Sequence, residues 1–379
     1  MPVDFSLTES QQEIARLAGR LLDGASPGGR PPQTPPDGAS PGGRPPQTPP
    51  EAKADPWKEL ARAGLLALSL PPELGGDGLG VLDTAVLLTE LGRRAAPVPA
   101  LATLMTGVLP VVRWGDGAAR RALLPAAAAG ELILTAGLRE PSDPMPAVPA
   151  ATVAADGLVS GTKVGVLYCA EASRVLLPVS FASAGHEEHG TGVVIVDPAA
   201  DGASVTRTPS VSGGPEYTLR LDQVPVEQVL GGADCLADLY QLAVAGACSL
   251  ADGALSAALT LTRDHIATRR QFGRPLAAFQ AVAQQVADVY IASRTLHLAT
   301  MSACWRLDAG KDAAGDLAVA GLWCAAESPA AVRTCHHLHG GTGMDVTYPL
   351  HRLSALVGDL VRFLGGAEYQ LERQACSLN

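Results

Sequence analysis

Aromatic side chains are scarce in this chain. Phe, Tyr and Trp make up only 4% of its 379 residues, although apolar residues reach 47%. Ala, Val and Leu must therefore fill the core, a composition that favours closely packed helices. There is no long basic run and the net charge is −10, which argues against nucleic acid as a partner, because neutralising a phosphate backbone needs clustered Lys and Arg. The seven cysteines, at 169, 235, 248, 304, 324, 335 and 376, form no C-x-x-C pair and no short-spaced framework. In a chain long enough for two or three domains they read as reduced and mostly buried. No stretch approaches the roughly 20 uninterrupted apolar residues of a membrane span. The N-terminus opens on acidic and polar residues, so the expected location is cytoplasmic with no membrane partner.

What is present reads in three blocks. Thr8 and Gln11 form a T-x-x-Q capping box, and Ile14, Leu17, Ala18, Leu21 and Leu22 lay one apolar stripe behind it. This first helix stops where DGASPGGRPPQTPP occurs twice in succession, at 23–36 and 37–50. Proline removes donors, glycine adds chain entropy and little apolar surface compensates, so 23–50 is expected to be a disordered loop. A proline-rich docking segment is the sharper alternative to a tolerated duplication. Asp55-Pro56 supplies a cap and first position for a helix carrying Leu60 and Leu65. Residues 69–80, SLPPELGGDGLG, form a loop, and helices are expected at about 81–92, 98–113 and 117–129.

From about 131 the period changes to short β-branched runs separated by Gly, Asp and Pro. Long helical patterns return at about 236–268, 278–307, 314–340 and 349–375. The expected fold is α+β: a helical N-terminal domain over 1–130, a β-barrel or sandwich over 131–234, and a four-helix bundle over 235–379.

The stretch Arg263 to Arg294 carries the densest signal. Leu255, Leu259 and Ile266 upstream, and Phe279, Val282, Val286 and Val289 downstream, mark two amphipathic helices meeting at a hairpin broken by Gly273 and Pro275. The loop carries Arg269, Arg270, Gln271 and Phe272. Two guanidinium groups beside an amide and a ring suit a phosphate-bearing aromatic ligand such as a dinucleotide, although an ordinary surface loop gives the same spacing. The run R-x-Q-F-G-x-P-L with the following F-Q, and HHLHGGTGMDVTYPLHR near the C-terminus, resemble signatures of the acyl-CoA dehydrogenase family. The segments SGTKVGV (160–166), YIASRT (290–295) and CHHLHGGTGMDVTYP (335–349) further resemble one chain of the heteromeric enzymes that oxidise steroid side-chain CoA thioesters in sterol-degrading bacteria.

That resemblance implies FAD and a positioned carboxylate, which removes the α proton of the thioester while hydride leaves Cβ for the flavin. In most of the family the base is a Glu in a Y-E-G-T-like turn. Here FLGGAEYQ puts Leu364 or Gly365 there, and Glu368 comes too late. In other relatives the Glu lies 26 residues before the Arg matching Arg269, which gives Ala243. Asp252, about 13 Å further along that helix, and Asp238, about 7 Å the other way, read as solvated helix residues or as substitute bases. The family's T-E-P-x-x-G-S-D-like loop and W-I-T/S-like strand become LREPSDP (138–144) and VGVL (164–167). Glu140 and Pro141 survive, but the aromatic wall and the hydroxyl donor do not.

The bundle half of the family's site is intact. Arg269, Gln271 and Phe272 match the loop that reaches a neighbouring subunit's FAD. His337, Gly340 and Gly341 match the segment closing on the same adenosine half. The resemblance therefore implies a chain with no catalytic residue of its own. It would share FAD at an interface with a homologous catalytic chain, as an α2β2 assembly acting on a steroid acyl-CoA. An active homomer with an unrecognised base and a flavin-free CoA-binding or scaffolding protein are the alternatives. The histidines 336, 337 and 339 lack converging carboxylate or Cys partners, so no metal is expected.

Overall fold

The computed structural model describes residues 6–25, 55–153, 156–182 and 190–377. Helix α1 spans Glu9–Ala25, three residues past its expected end, and from residue 26 the duplicated segment lies outside the described residues. The capping box forms: Thr8 N donates to Gln11 Oε1 at 3.1 Å and Gln11 N to Thr8 Oγ1 at 3.2 Å. Asp55 caps α2 (Pro56–Arg62) by accepting from Trp57 N. Helix α3 (Val81–Arg93) takes its N-terminal partner from far along the chain, because the Asp308 carboxylate accepts from Val81 N at 2.6 Å and Leu82 N at 3.2 Å. Gly80 makes this possible, since a Cβ there would lie 1.9 Å from Asp308 Oδ1.

The helix expected over 98–113 is two structures. Leu101–Val108 is π-helical with every residue buried, and α4 (Leu109–Trp114) continues it. Helix α5 (Gly117–Ala128) ends the helical block. The strands then build one sheet: β1 (Leu134–Ala136), β2 (Thr152–Val153), β3 (Leu158–Leu167), β4 (Arg174–Phe181), β5 (Thr191–Val196), β6 (Ala203–Arg207), β7 (Glu216–Pro225) and β8 (Gln228–Gly231). Their order is β6-β7-β3-β2-β4-β5-β8, with β1 added parallel to β4.

The C-terminal block holds α6 (Ala233–Thr268), α7 (Gln280–Asp308) and α8 (Ala314–His339). The single last helix expected over 349–375 is broken into α9 (Leu350–Phe363) and α10 (Gly366–Ser377). Consecutive glycines at φ 88° (Gly365) and 86° (Gly366, the first residue of α10) cause the break, because left-handed backbone cannot continue α9 into α10. Among the described helices α6 alone is long and apolar enough to cross a membrane; Asp238 and Asp252 interrupt its apolar run, and 78% of its apolar window is buried inside the fold.

Two hydrophobic cores result. One runs continuously from α1–α3 through the π-helix into the bundle. The other fills the sheet with Val159, Val175, Leu177, Val194 and Leu219. Six cysteines among the described residues are free and buried.

Candidate functional site

Arg269 ends α6 as its C-cap and leads into a two-stranded ribbon, β9 (Arg270–Gln271) with β10 (Arg274–Pro275). The sequence reading took this stretch as a simple loop. Its turn is Phe272–Gly273, with φ 51° and 79°, the both-positive pattern of a tight two-residue hairpin. A phenylalanine in that region is strained. Its ring is nevertheless 92% exposed at the hairpin tip. Arg274 stacks 4.0 Å over the neighbouring Phe279 ring.

A cleft of about 560 Å³ separates this hairpin from the end of α8. Arg269 and Gln271 line one side, and His337, Gly340 and Gly341 the other. Five of the six residues expected at a cofactor are thus gathered round one space; Phe272 is not among its lining residues. Gly340 lies at φ 57°, and a Cβ on Gly340 or Gly341 would meet no protein atom within 4 Å. Both backbones therefore face open space.

The wall behind His337 is built of histidines. His265 and His339 stack with ring centroids 4.5 Å apart. His339 is fixed at both ring nitrogens, Nδ1 to the Cys335 carbonyl at 2.7 Å and Nε2 to the Tyr348 hydroxyl at 3.0 Å. Burial, followed by the neighbouring His339 and Arg269, depresses the His265 pKa to about 4. Burial also lowers His339, against the pull of the Cys335 carbonyl. His336 Nδ1 is paired with the Gly343 carbonyl at 3.0 Å. Each of these rings is spoken for within the protein fold, and no metal-like grouping of three His, Cys, Asp or Glu exists among the described residues.

A second, larger cavity of about 800 Å³ lies where the N-terminal helices, the sheet and α9 meet. Most of its wall is apolar, including Val98, Leu101, Leu167, Leu356 and Phe363. Its polar edge is a charged cluster outside the sequence motifs. Arg362 of α9 forms a bidentate pair with Glu216 of β7 and donates to Asp359 Oδ1 at 3.0 Å. Hydrogen bonding to Glu216 raises the already high arginine pKa further. Burial opposes ionisation of Asp359, but hydrogen bonds from Ser212, Val211 and Arg362 outweigh it and hold the pKa low. Arg139 completes the edge. It stands in the LREPSDP segment, the one local signal that could have pointed here.

The positions where a base was sought are closed. Leu364 is fully buried in the core and so is Ala243. A Cβ on Gly365 would lie 2.6 Å from Pro144 Cγ and 2.7 Å from Tyr369 Cδ1. Glu368 is exposed. Asp252 and Asp238 are not solvated residues, which corrects the sequence reading. Asp252 is 2% exposed and pairs with His297 Nδ1 at 2.9 Å. Asp238 accepts from Arg113 Nη1 at 2.5 Å and Trp114 Nε1 at 2.8 Å, tying α6 to α4. Neither lines the junction cavity. Glu140 is likewise structural: Lys163 Nζ donates to it at 2.7 Å, and the amides of Ala150 and Ala151 donate at 2.7 and 3.0 Å. Those donors overcome burial and hold its pKa below the ordinary value.

Comparison with known proteins agrees with this architecture at both ends. Residues 46–131 match the N-terminal domain of acyl-CoA dehydrogenases and residues 242–373 the C-terminal domain. The chain is 45% identical over 323 residues to acyl-CoA dehydrogenase FadE28 of Mycobacterium tuberculosis, covering 83% of this chain and 90% of that one. Among solved structures it is similar to the Tcur3481-Tcur3483 steroid ACAD, with 32% identity, 98% of each chain covered and a TM-score of 0.84. It is also similar to the ChsE4-ChsE5 complex of Mycobacterium tuberculosis, with 29% identity, 99% of each chain covered and a TM-score of 0.85. The chain belongs to the acyl-CoA dehydrogenase family, whose members are FAD-binding oxidoreductases.

Proposed function

We propose that this chain is the non-catalytic subunit of a heteromeric acyl-CoA dehydrogenase that desaturates the CoA thioester of a steroid side chain. In this reading it completes the FAD site of a homologous catalytic chain, in an α2β2 assembly. The observation that carries the reading is the contrast between its two clefts.

The bundle cleft fits the phosphate- and adenosine-bearing end of FAD. Its donors, Arg269 and Gln271, are exposed and face a segment whose glycine backbones are unobstructed. A guanidinium suits a pyrophosphate through paired N–H donors, and close backbone approach adds amide donors. The junction cavity does not fit the isoalloxazine ring. Arg139 and the Arg362–Glu216 pair occupy its polar edge, and the base positions hold Leu364, Gly365 and Ala243. Phe272 lies exposed at the hairpin tip and outside the cleft lining, and a strained, exposed ring is the kind of feature a partner surface would cover.

When bound, FAD takes the hydride that leaves Cβ of the acyl chain. This chain's residues bind and orient: Arg269 balances phosphate charge, Gln271 and His337 offer hydrogen bonds, and Gly340–Gly341 admit the ligand. The partner supplies the base. Tyr290, Ile291 and Leu298 on α7, 58%, 57% and 39% exposed, give the surface such a partner would bury. The heteromeric likeness of the ChsE4-ChsE5 complex and the steroid likeness of the Tcur3481-Tcur3483 ACAD support the same assignment.

The test is flavin content and steroid-CoA desaturation of this chain alone and co-expressed with a homologous catalytic chain. The reading expects a colourless, inert lone chain and a complex holding one FAD per pair of chains. A yellow lone chain that turns over would overturn it.

A further inference from the structure

The junction cavity has a property that the bundle cleft lacks: an unpaired cation in an apolar enclosure. Its lining includes four arginines, Arg94, Arg139, Arg352 and Arg362. Arg94 is matched by Asp23 and Glu90. Arg362 is matched by Glu216 and Asp359. Arg352 is exposed to solvent. Arg139 is different: it makes no ion pair among the described residues, and its buried Nε has no hydrogen-bond partner.

Arg139 is not a loose surface side chain. Its carbonyl accepts from Val164 N at 2.9 Å, which pins the residue against β3. Gly165 keeps the space beside it open, since a Cβ there would meet Glu216 Oε1 at 3.3 Å and Arg139 Nη1 at 3.4 Å. Burial lowers its pKa and the nearby Arg362 lowers it further, against a smaller pull from Glu216. Arg139 is half-buried with its Nε enclosed and without a hydrogen-bond partner; leaving such a group unmatched is costly, and a carboxylate matches its planar fork with two parallel hydrogen bonds. The wall that runs from Val98 and Leu101 to Leu356 and Phe363 is mostly apolar and suits an apolar body. At about 800 Å³ the space lies in the small-molecule range.

We infer that this cavity is a non-redox binding site for an amphipathic carboxylate, with the carboxylate on Arg139 and the apolar body between the N-terminal helices and α9. The site takes a free acid rather than a flavin, and nothing in its binding requires the partner chain or the bundle cleft. The second anionic source open to such a site is the phosphate of coenzyme A, which the test separates.

The full-length chain is titrated by calorimetry with decanoate, with 1-decanol and with coenzyme A. The inference expects decanoate to bind about tenfold or more tightly than 1-decanol, the worth of a charge-assisted hydrogen bond. Arg139→Met should abolish that preference while leaving decanol binding unchanged, and Arg139→Lys should restore part of it. Circular dichroism and melting temperature check that the variants fold. Should Arg139→Met fail to fold, the wild-type chain still decides the matter. There, decanoate but not decanol must protect Arg139 from modification by phenylglyoxal, read by peptide mass. Equal affinity for acid and alcohol, a preference that survives Arg139→Met, or binding of coenzyme A with none of decanoate would each overturn the site.

Discussion

Arg362 on α9 holds both carboxylate oxygens of Glu216 on β7, so one ion pair joins the bundle to the sheet at the edge of the junction cavity. Glu216 is 6% exposed at its side chain, whereas Arg362 keeps 35%. Replacing the acid strands a half-wet guanidinium that still has Asp359. Glu216→Gln should therefore cost near the low end for charged hydrogen bonds, about 1.5–2 kcal/mol. Urea denaturation of the variant checks this, and an unchanged midpoint would show that the pair contributes little.

The Glu140–Lys163 pair should behave more sharply, because Lys163 is fully buried and Glu140 is 5% exposed. Lys163→Met leaves a buried carboxylate with only the Ala150 and Ala151 amides, and the expected loss is about 3–5 kcal/mol. Glu140→Gln combined with Lys163→Met removes both charges and should recover most of it. A double-mutant cycle in urea measures the coupling; strictly additive single effects would contradict it.

Restoring a carboxylate at the vacant base position should fail for a backbone reason. Gly365 lies at φ 88° and its Cβ direction runs into Pro144. Gly365→Glu should destabilise the chain by about 3 kcal/mol or more, combining left-handed strain with a steric clash, and should yield no desaturation activity. Thermal melting and turnover with steroid-CoA read the two effects separately.

The histidine wall predicts a pH dependence. His265 is depressed from its ordinary 6.5 to about 4 by burial, His339 and Arg269. An unfolded chain therefore takes up a proton near 6.5 that the folded chain refuses until about 4. Stability from this group is complete above the unfolded value and falls as pH drops through that window. Melting temperature should decline between pH 7.5 and 5 more steeply in the wild type than in His265→Gln. Parallel declines would remove His265 as the cause.

The sequence was most legible where a local rule decides the outcome. The Thr8–Gln11 box, the Asp55–Pro56 start and the change from strand to helix period each depend on neighbours a few residues away. Pairings across the chain were not legible. Asp252 read as solvated because its partner, His297, lies 45 residues on. Asp238 misled likewise, since Arg113 and Trp114 precede it by 125 and 124 residues. The last helix ran too long because helical periodicity continues across Gly365 and Gly366 and does not show their left-handed backbone. Arg139 was in view within LREPSDP, but its isolation emerges only when Arg362 is seen to occupy Glu216.

The central claim, that this chain lends its hairpin and the end of α8 to a partner's cofactor, is tested most directly by flavin stoichiometry of the co-purified complex. Arg269→Ala and His337→Ala are made in this chain alone, and protein-bound flavin is measured by absorbance after gel filtration. The account predicts one FAD per pair of chains in the wild type, and its loss on dilution in both variants while the complex stays assembled. Full retention of flavin in both variants would contradict it.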